Sequence, residues 1–560
     1  MSIDATSSLA LGLAGKDEAT LIADVQAFMA QKHLPDARRT AEAASGLFPQ
    51  SSGLAALLGY ACQQTGDFPA AVRACDTAIA LGSREWIAPF TLGLSQRALN
   101  EHGKAAMAFL LAYELRPGNV ETLALLLEEV VLAYGIDSGR DIYQTVIDPD
   151  LKAAASPIWT GLLFKHGRMA ELQSMGIDCR VVTLMSVADW AVGNGVDINY
   201  VDDIEVIRCE EPESLEADGA PPFKALANGS RPYACLIDNA TILSRSDLVL
   251  TADGAALNDC LTDPRFGQWV ELHQEKAISG RDGQRLLLDM APYNVVELEA
   301  GVMLSGAGSG EFGHWMPEFL CRLRALSRHP DFASLPIIVD AGLPATHYEY
   351  LRLVVSNELI VLPSRTAFRC KRLLIAPTPS FYPMHLAPGH NVPGFEQGPF
   401  SPVCFAFLRD RVFASLPATA SRRSRRLYLS RRNRQWRLML NDGEIAACLE
   451  ARGFETIYPE DLNFAQQVRL FQEAEAIVGP NGSSWVNLIF ADPSVKVVVL
   501  GQANFSGQDL FGFSGFVGPM RTLGFDPMFV GGDAGDRQNK HVNFTVPVSR
   551  LEQVLDRLGL

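Results

Sequence analysis

Residues 427–437 read Leu-Tyr-Leu-Ser-Arg-Arg-Asn-Arg-Gln-Trp-Arg, and residues 478–487 read Val-Gly-Pro-Asn-Gly-Ser-Ser-Trp-Val-Asn. Eight arginines lie between Arg422 and Arg437 in a chain whose formal net charge is -16, so this cationic cluster needs a local explanation. The small residues after Val478 predict a turn from a strand into a helix, where backbone N–H groups can face an anion. Guanidinium groups beside a helix N-terminus suit a pyrophosphate, and we predict an anion-binding site here.

The length and composition predict a multidomain globular protein. A chain of 560 residues should hold about three domains, and 48% hydrophobic with 20% charged residues is ordinary for globular folds. No uncharged apolar run is long enough to predict a transmembrane segment, and the first residues lack the basic region of a signal peptide. The pI of about 5.2 argues against broad nucleic-acid binding, so no nucleic-acid partner is expected.

The spacing of the cysteines indicates the cellular compartment of the protein. Ten cysteines are scattered along the chain and none forms a C-x-x-C pair. This usage is typical of reduced thiols, and we expect a cytoplasmic protein, with peripheral attachment to the inner face of the membrane as an alternative.

The first part of the chain repeats at a spacing of 34 residues. Three sets of residues fall in register at this spacing: Ala37, Ala71 and Ala105; Ala44, Ala78 and Ala112; Leu47, Leu81 and Leu115. The pattern resembles the tetratricopeptide repeat (TPR), in which small residues allow helices to cross closely. We predict an all-α, TPR-like helical solenoid over residues 20–150, with a generic helical bundle as the alternative. Its concave surface would receive a protein partner or an acceptor substrate.

The pattern of predicted secondary structure changes after residue 150. Residues 151–229 mix helical patches with an acidic, proline-rich run and predict a helical or linker region. Short β-rich runs alternate with helices over residues 230–400, and a second such series covers residues 401–560. This alternation predicts two α/β lobes, the first with a mostly parallel sheet, and a ligand cleft between them. Asn463 followed by Gln466 predicts a capping box at a helix start.

Several short motifs follow one another in the C-terminal half. They are Tyr428-Leu-Ser-Arg431-Arg432, Arg437 with Asn441-Asp442, Gly453-Phe454, Gln466-Gln467, and the turn from Gly479 to Asn487 that precedes Leu-Ile-Phe490. In this order they resemble glycosyltransferase family 61. Residues 313–323 resemble that family's His-Trp-Leu-Leu-Asp-x-Leu-Pro-Arg-Leu signature, with Glu318 for its aspartate and Cys321 for its proline. The similarity covers about residues 230–560.

The resemblance implies a GT-B-like two-lobe fold, a nucleotide-sugar donor, inversion at the anomeric carbon, and no metal or other cofactor. Without a cation, protein groups must neutralise the leaving diphosphate. The donor-binding residues on the C-terminal lobe would be Arg431, Arg437, Asn441, Gln467, Asn481, Gly482, Ser483, Ser484 and Asn487. The arginines from Arg422 to Arg426 have a simpler alternative as a solvated loop ahead of the strand.

An inverting transfer also needs a general base for the acceptor hydroxyl. His314 follows the glycine-rich run Gly306–Gly310, and Glu318 lies four residues later on the same face of a predicted helix. We predict that His314 acts as the base or positions the acceptor on the N-terminal lobe, with Glu318 as its partner. The alternative is that His314 only ties the glycine run to the helix. The run lacks the third glycine of a dinucleotide fingerprint, which disfavours an oxidoreductase.

Together these features predict a glycosyltransferase of bacterial type, with a role such as polysaccharide biosynthesis. It would move a sugar from a nucleotide-diphosphate donor to a hydroxyl of a glycan or protein acceptor. Asn481 stands where many members of the resembled family have histidine, and asparagine does not shuttle protons. The alternative is therefore a non-catalytic TPR scaffold with a degenerate sugar-nucleotide-binding module.

Overall fold

A computed structural model describes residues 15–30, 34–146, 148–210, 213–214, 224–264, 277–381, 396, 400–416, 423–431, 438–502, 517–534 and 543–560. The chain divides into two compact units. The first unit comprises Met1–Asp178, Ile278–Gly283 and Gly535–Asn543, and the second comprises Cys179–Ala277, Gln284–Ala534 and Phe544–Leu560. None of the helices in the described ranges combines the length and the apolar character needed to cross a bilayer.

The first unit is built from consecutive helices. They are α1 (Glu18–Ala30), α2 (Leu34–Leu47), α3 (Ser52–Gln64), α4 (Phe68–Ala80), α5 (Ile87–Ala98), α6 (His102–Leu115), α7 (Val120–Tyr134), α8 (Ile136–Thr145), α9 (Pro149–Lys165) and α10 (Met169–Ser174). From α1 to α8, each helix packs against the next one along the chain. Side-chain caps begin several of them; for example, Ser51, Asp67 and Asn119 each accept a hydrogen bond from a backbone N–H of the first turn.

Two glycines show that the sequence repeat is also a packing repeat. A Cβ atom added at Gly59 would lie 2.3 Å from Cys75 Sγ, and one added at Gly93 would lie 2.7 Å from the Phe109 ring. The two glycines are 34 residues apart, and so are their two partners. The same close helix crossing therefore recurs once per repeat, and the predicted TPR-like helical region is confirmed.

The predicted linker 151–229 is divided between the two units. Helices α9 and α10 continue the helical unit, where Trp159 stacks on Tyr143 with ring centroids 5.3 Å apart. The strand Cys179–Met185, by contrast, belongs to the second unit. The boundary between the units thus lies at residue 178, ahead of the predicted start of the first α/β lobe at residue 230.

The repeat packing predicts the effect of adding one methyl group. Gly59→Ala should lower the free energy of unfolding by about 1–3 kcal/mol, because the new Cβ collides with the buried Cys75 thiol. Denaturant unfolding of the full chain measures this change. Gly46→Ala is the matched control, since no atom lies within 4 Å of its added Cβ and alanine favours the helix. Equal stability of the two variants would contradict the packing described here.

The strands of the chain are numbered in order. They are β1 (Cys179–Met185), β2 (Ile198–Tyr200), β3 (Val206–Glu210), β4 (Glu213–Ser214), β5 (Lys224–Asn228), β6 (Tyr233–Leu243), β7 (Val249–Leu250), β8 (Ala255–Leu257), β9 (Ile278–Asp282), β10 (Arg285–Asp289), β11 (Asn294–Met303), β12 (Ile337–Asp340), β13 (Leu359–Leu362), β14 (Thr366–Ile375), β15 (Arg425–Leu429), β16 (Glu455–Ile457), β17 (Ala474–Pro480), β18 (Lys496–Gln502), β19 (Pro527–Ala534) and β20 (Phe544–Thr545). All except β9 belong to the second unit.

The remaining helices also belong to the second unit. They are α11 (Val187–Asn194), α12 (Asp259–Thr262), α13 (Phe312–His314), α14 (Leu323–Leu326), α15 (Ala345–Val354), α16 (Pro402–Ser415), α17 (Asp442–Ala451), α18 (Phe464–Gln472), α19 (Val517–Thr522) and α20 (Val548–Leu558). A π-helical turn covers Trp315–Phe319, and 3₁₀ helices cover Leu320–Arg322, Phe332–Ser334, Pro459–Asp461 and Ser483–Phe490.

The larger sheet of the second unit is mixed. Its strands follow the order β13-β12-β11-β14-β6-β7-β8-β1-β10, with β2 paired to β6. Strands β11 to β14 pair in parallel with one another, whereas β6, β7 and β10 pair antiparallel with their neighbours. The prediction of a mostly parallel sheet is thus wrong beyond β14. Strands β6, β7 and β8 follow one another through short turns, which join antiparallel strands readily.

The smaller sheet follows the order β16-β15-β17-β18-β19-β20, and β4 pairs with β19. All its pairings are parallel except that of β19 with β20. Helix α18 begins with the predicted capping box, in which Asn463 Oδ1 accepts from the Gln466 N–H and Gln466 Oε1 accepts from the Asn463 N–H, both at 2.9 Å. A mixed α/β unit after the helical repeats is therefore confirmed.

The two sheets share one hydrophobic core. Tyr350 of α15 stacks on Phe464 of α18 with ring centroids 4.1 Å apart, and Phe490 meets both rings edge-on. Glu349 Oε2 accepts a hydrogen bond of 2.7 Å from the Phe464 N–H at the start of α18. Aromatic side chains thus fill the space between these two helices, where the sequence predicted a ligand cleft between the lobes.

Candidate functional site

The glycine run after β11 leads directly to His314. Helix α13 is short, and the chain continues as a π-helical turn instead of the regular helix that the sequence predicts. Pro317 lies within this turn, and because proline has no N–H it removes one helical hydrogen bond and favours the wider geometry. The predicted four-residue spacing nevertheless places His314 and Glu318 in contact.

His314 and Glu318 form a buried pair. The Nδ1 atom of His314 lies 2.6 Å from Glu318 Oε1, and the two residues are only 1% and 5% exposed. Burial lowers the pKa of His314, but the charge and hydrogen bond of Glu318 outweigh it, with help from Glu311 and Asp247, so the net pKa is raised. The carboxylate fixes which ring nitrogen carries the proton and stabilises the imidazolium form.

A second set of polar groups lies next to this pair. Arg322 donates from Nε to the Glu318 carbonyl at 2.8 Å and from Nη2 to Thr378 Oγ1 at 2.7 Å. The same Nη2 lies 3.2 Å from Asp247 Oδ1. Burial raises the pKa of Asp247 despite the attraction of Arg322. Glu318 therefore contacts the imidazole through its carboxylate and the guanidinium through its backbone carbonyl, in a network that can hold a proton or a polar substrate group.

The side chain of Asp340 holds the glycine run in place through hydrogen bonds. Its Oδ2 accepts from the Gly306 N–H at 2.9 Å and from Ser309 Oγ at 2.7 Å, while its Oδ1 accepts from the Arg245 N–H at 2.8 Å. Burial raises the pKa of Asp340 against these hydrogen bonds. An added Cβ at Gly308 would lie 3.1 Å from His314 Cβ, so the run approaches the histidine closely. His314 therefore packs against the glycine loop.

Two neighbouring cavities lead toward Glu318. The inner cavity, of about 60 Å³, is lined by Asp247, Glu318, Arg322 and Thr378 among others. The outer cavity, of about 390 Å³, is lined by Tyr200, Asn228, Arg231, Tyr233, Asp259, Asp263 and Thr378 among others. The two share Tyr233, Asp259, Cys260, Pro377, Thr378 and Phe381 as walls. A polar, aromatic-lined route therefore approaches the partner of His314.

The turn after β17 is held by Arg431. Its Nη2 donates to the carbonyl oxygens of Asn481 and, at 3.4 Å, of Pro480. A Cβ atom added at Gly482 would lie only 1.7 Å from Arg431 Nη2, so glycine is needed for the guanidinium to occupy this place. The Asn481 N–H donates to the Leu500 carbonyl at 2.8 Å and continues the sheet.

The segment with His314 contacts the helix that follows the turn. The 3₁₀ helix Ser483–Phe490 begins at Gly482, and α13 packs against this helix. The sequence predicted a helix here, and the structure gives a 3₁₀ helix, in which the half-buried Ser483 and Ser484 form the first turn. The predicted general base and part of the predicted donor site thus lie on contacting segments.

Two other predicted donor residues form a buried pair. Gln467 Nε2 donates to the carbonyls of Pro459 at 2.9 Å and Leu462 at 3.2 Å, which leaves Gln467 Oε1 to accept from Asn487 Nδ2 at 2.8 Å. Asn487 Oδ1 is buried and has no protein hydrogen-bond partner among the described residues. The pair ties the 3₁₀ helix to the loop before α18, so both residues have a structural function.

The remaining arginines and Asn441 serve other contacts. Asn441 exchanges two hydrogen bonds with the backbone of Val546, at 2.7 and 3.1 Å. Arg425 is the first residue of β15 and pairs with Glu455 and Glu473, so it belongs to the smaller sheet and not to the solvated loop of the alternative interpretation. The predicted donor residue Arg437 lies outside the described residues.

The sequence did not single out Asp247, Arg322, Thr378, Asp340 or Arg245. Asp340 has a recognisable signal, since it directly follows the apolar strand residues 337–339. Arg322 lies four residues after Glu318 and could have been predicted from helical spacing. Within the part of the chain that the structure describes, no three His, Cys, Asp or Glu side chains are grouped to hold a metal ion.

Comparison with protein families identifies the segment that carries the site. Residues 312–498 match the model of the family Glycosyltransferase 61. The predicted resemblance is confirmed for this segment, which includes His314, Glu318, Arg431 and the turn at Gly482. The match indicates glycosyltransferase activity. No curated protein sequence matches the chain.

Comparison with solved structures finds helical proteins. The crystal structure of MamA is 19% identical over 30% of this chain and 99% of its own, with a TM-score of 0.22. PilF of Pseudomonas aeruginosa is 15% identical over 28% of this chain and 72% of its own, with a TM-score of 0.24. The first TPR of Spaghetti (RPAP3), bound to an HSP90 peptide, is 20% identical over 20% of this chain and 91% of its own, with a TM-score of 0.20.

The position of Arg431 predicts that residue 482 must be glycine. Gly482→Ala should displace the guanidinium and break its hydrogen bonds to the turn, which should lower the free energy of unfolding by about 0.5–1.5 kcal/mol in a denaturant titration. Gly443→Ala is the control, because its added Cβ meets no atom within 4 Å. If Gly482→Ala were as stable as that control, Arg431 would not occupy the place described.

The raised pKa of His314 predicts how stability changes with pH. The stabilisation from the pair is fully present below the unfolded-state pKa of about 6.5 and is lost as pH rises through the higher folded-state pKa. The stability difference between wild type and H314Q should therefore shrink as pH rises through that range. Unfolding at a series of pH values measures it. When Glu318 is replaced by Gln, the effect of H314Q on stability should depend less on pH. A stability difference that grows as pH rises would contradict the pairing of His314 with Glu318.

Proposed function

We propose that the α/β unit is an inverting glycosyltransferase that transfers a sugar from a nucleotide-diphosphate donor without a metal ion. The observation that carries the proposal is the packing of α13 against the 3₁₀ helix Ser483–Phe490. It brings the segment of a buried histidine–carboxylate pair against the helix that follows the turn at Gly482, within the segment matched to Glycosyltransferase 61. A GT-B-like fold is part of this proposal on the basis of the family resemblance alone.

His314 has the properties of a general base. With Nδ1–H directed at Glu318, the neutral imidazole presents Nε2 as its acceptor nitrogen. Glu318 stabilises the imidazolium that forms when a hydroxyl proton is taken up. Because the base must be neutral before it accepts a proton, transfer should increase as pH rises through the raised pKa of His314.

The donor diphosphate is proposed to lie at the turn after β17. The first N–H groups of a helix have no partner within the helix, and they carry a partial positive charge that attracts phosphate oxygens. Ser483 and Ser484 add hydroxyl groups at this end, and Arg431 adds a positive charge beside it. Arg437 is proposed as a second cation on the basis of the family motif alone.

The acceptor is proposed to enter through the outer cavity. Its walls combine the aromatic rings of Tyr200 and Tyr233 with the polar side chains of Arg231, Asn228 and Asp263. Such a mixture suits a carbohydrate, which offers apolar C–H faces and many hydroxyl groups. A glycan hydroxyl in the inner cavity would approach Glu318 and Arg322.

The helical unit is proposed to bind a protein partner or to recruit the acceptor. A groove of about 790 Å³ on this unit is lined by residues of α4 to α7, including Leu92, Met107 and Tyr134. Met107 is 62% exposed and Tyr134 is 58% exposed, although both are large apolar side chains. Such exposure is typical of a binding surface.

A non-catalytic scaffold is the second candidate function, and Asn481 favours it. Asn481 is buried, and its backbone is committed to β18 and to Arg431. A site that binds the nucleotide but has lost a proton-transferring histidine at this position would sense the donor without turning it over.

Two variants separate donor binding from chemistry. Arg431→Ala should lose the thermal stabilisation that UDP, GDP or TDP gives the full chain, because the guanidinium beside the diphosphate is gone. His314→Ala should keep that stabilisation and lower the turnover of nucleotide sugar by about 10²–10⁴-fold, the usual contribution of a general base. Turnover should persist in EDTA.

The controls keep this experiment interpretable. Arg431→Lys retains the charge and should retain part of the stabilisation, and the melting temperature of each variant without nucleotide reports its fold. Nucleotide binding without any turnover in the wild type would favour the scaffold. Full turnover in His314→Ala would remove this residue from the mechanism.

A further inference from the structure

Two cysteines are in contact beside the site. Cys321 lies on the 3₁₀ helix Leu320–Arg322, and Cys404 lies in the first turn of α16. These two helices pack together, and the Cys321 thiol lies close enough to the Cys404 thiol to lower its pKa. Both side chains belong to the core shared by the two sheets and are reduced in the structure.

The surroundings of Cys404 favour its thiolate. Cys404 is the third residue of α16, and its N–H donates to Oγ of the capping residue Ser401 at 3.1 Å. The partial positive charge of the helix N-terminus stabilises a thiolate at this position. The neighbouring Cys321 thiol lowers the pKa of the Cys404 thiol, and the Arg324 guanidinium adds to this effect. These contributions outweigh burial and the charge of Glu205. Burial instead raises the pKa of Cys321 well above its ordinary value.

Cys404 can also be reached. It lines a cavity of about 270 Å³ together with Asp202, Asp203, Glu205, Arg324 and Ser401 among others. Glu205 accepts hydrogen bonds from Ser401 Oγ and, at 3.3 Å, from the Val403 N–H, which holds the cavity wall in place. Because this cavity holds space for several water-sized molecules, a small oxidant can approach the thiol.

We propose that Cys404 is an oxidation-sensitive thiol and Cys321 its resolving partner, and that hydrogen peroxide converts the pair to a disulfide. The Cys404 thiolate attacks one peroxide oxygen, the O–O bond breaks, and sulfenic acid and hydroxide form. The Cys321 thiol then attacks the Cys404 sulfur, the S–O bond breaks, and water leaves as the S–S bond forms. Two electrons pass from the two thiols to one peroxide.

The disulfide would act on the segment that carries the candidate base pair. Cys321 follows Glu318 by three residues and directly precedes Arg322, which bonds Glu318, Thr378 and Asp247. A covalent link to α16 would restrain this segment. We expect oxidation to change transfer activity reversibly, and this one consequence rests on the proposed function.

Peptide mapping of the full chain tests the thiol pair without any activity assay. After treatment with hydrogen peroxide and alkylation of the remaining thiols, the Cys321 and Cys404 peptides should be linked, and dithiothreitol should separate them. Cys404→Ser should abolish the link and leave Cys321 open to alkylation. Cys370→Ala is the control, because Cys370 is a buried sheet residue whose burial raises its pKa to about 12.

The mapping has outcomes that overturn the proposal. In the first, Cys404 stays reduced while Cys370 or other thiols oxidise. In the second, Cys404 is oxidised to sulfinic acid while Cys321 remains reduced. The wild-type map decides the question even if a variant fails to fold. A disulfide that forms without any change in activity supports the thiol pair and counts only against its link to catalysis.

Discussion

The stacked rings of Tyr350 and Phe464 fix how the two sheets of the α/β unit meet. Each ring sits on a helix that packs against its own sheet, and Phe490 closes the cluster from the 3₁₀ helix that follows Gly482. Aromatic pairs of this kind contribute about 0.5–1.5 kcal/mol beyond the area they bury. Because the core is close-packed, the segments at its rim cannot shift independently.

The candidate site lies at the edge of this core, so the packing of the core fixes the positions of the site residues. The segment with His314 and the turn held by Arg431 are both connected to core residues within a few positions, at Trp315 and at Trp485. A buried charge is unfavourable unless it is paired, and removing one partner of a buried pair costs about 3–5 kcal/mol. The contact between His314 and Glu318 therefore satisfies a requirement of folding while it prepares a base for proton transfer.

Local patterns in the sequence predicted local structure well. The 34-residue repeat, the capping box at Asn463 and the contact of His314 with Glu318 each depend on residues close in sequence, and the structure contains all three. The mixed sheet was missed because β1 finds its partners about 70 and 100 residues away. The network around Arg322 was missed for the same reason, since Asp247 and Thr378 come from segments distant in sequence, before β7 and after β14. The buried roles of Gln467 and Asn487 could not be read from their motif, because the motif does not report burial.

The close helix crossings at Gly59 and Gly93 show that each helix of the helical unit is stabilised by its neighbours along the chain. From α1 to α8 each helix contacts mainly the helices beside it, so every hairpin is supported by its neighbours and not by one central core. Among the helices that the structure describes, the hairpin of α1 and α2 has a packed neighbour on one side only. Amide protons of α1 should exchange with solvent faster than those of α4 and α5, and the array should fray from its end inward while its middle stays folded.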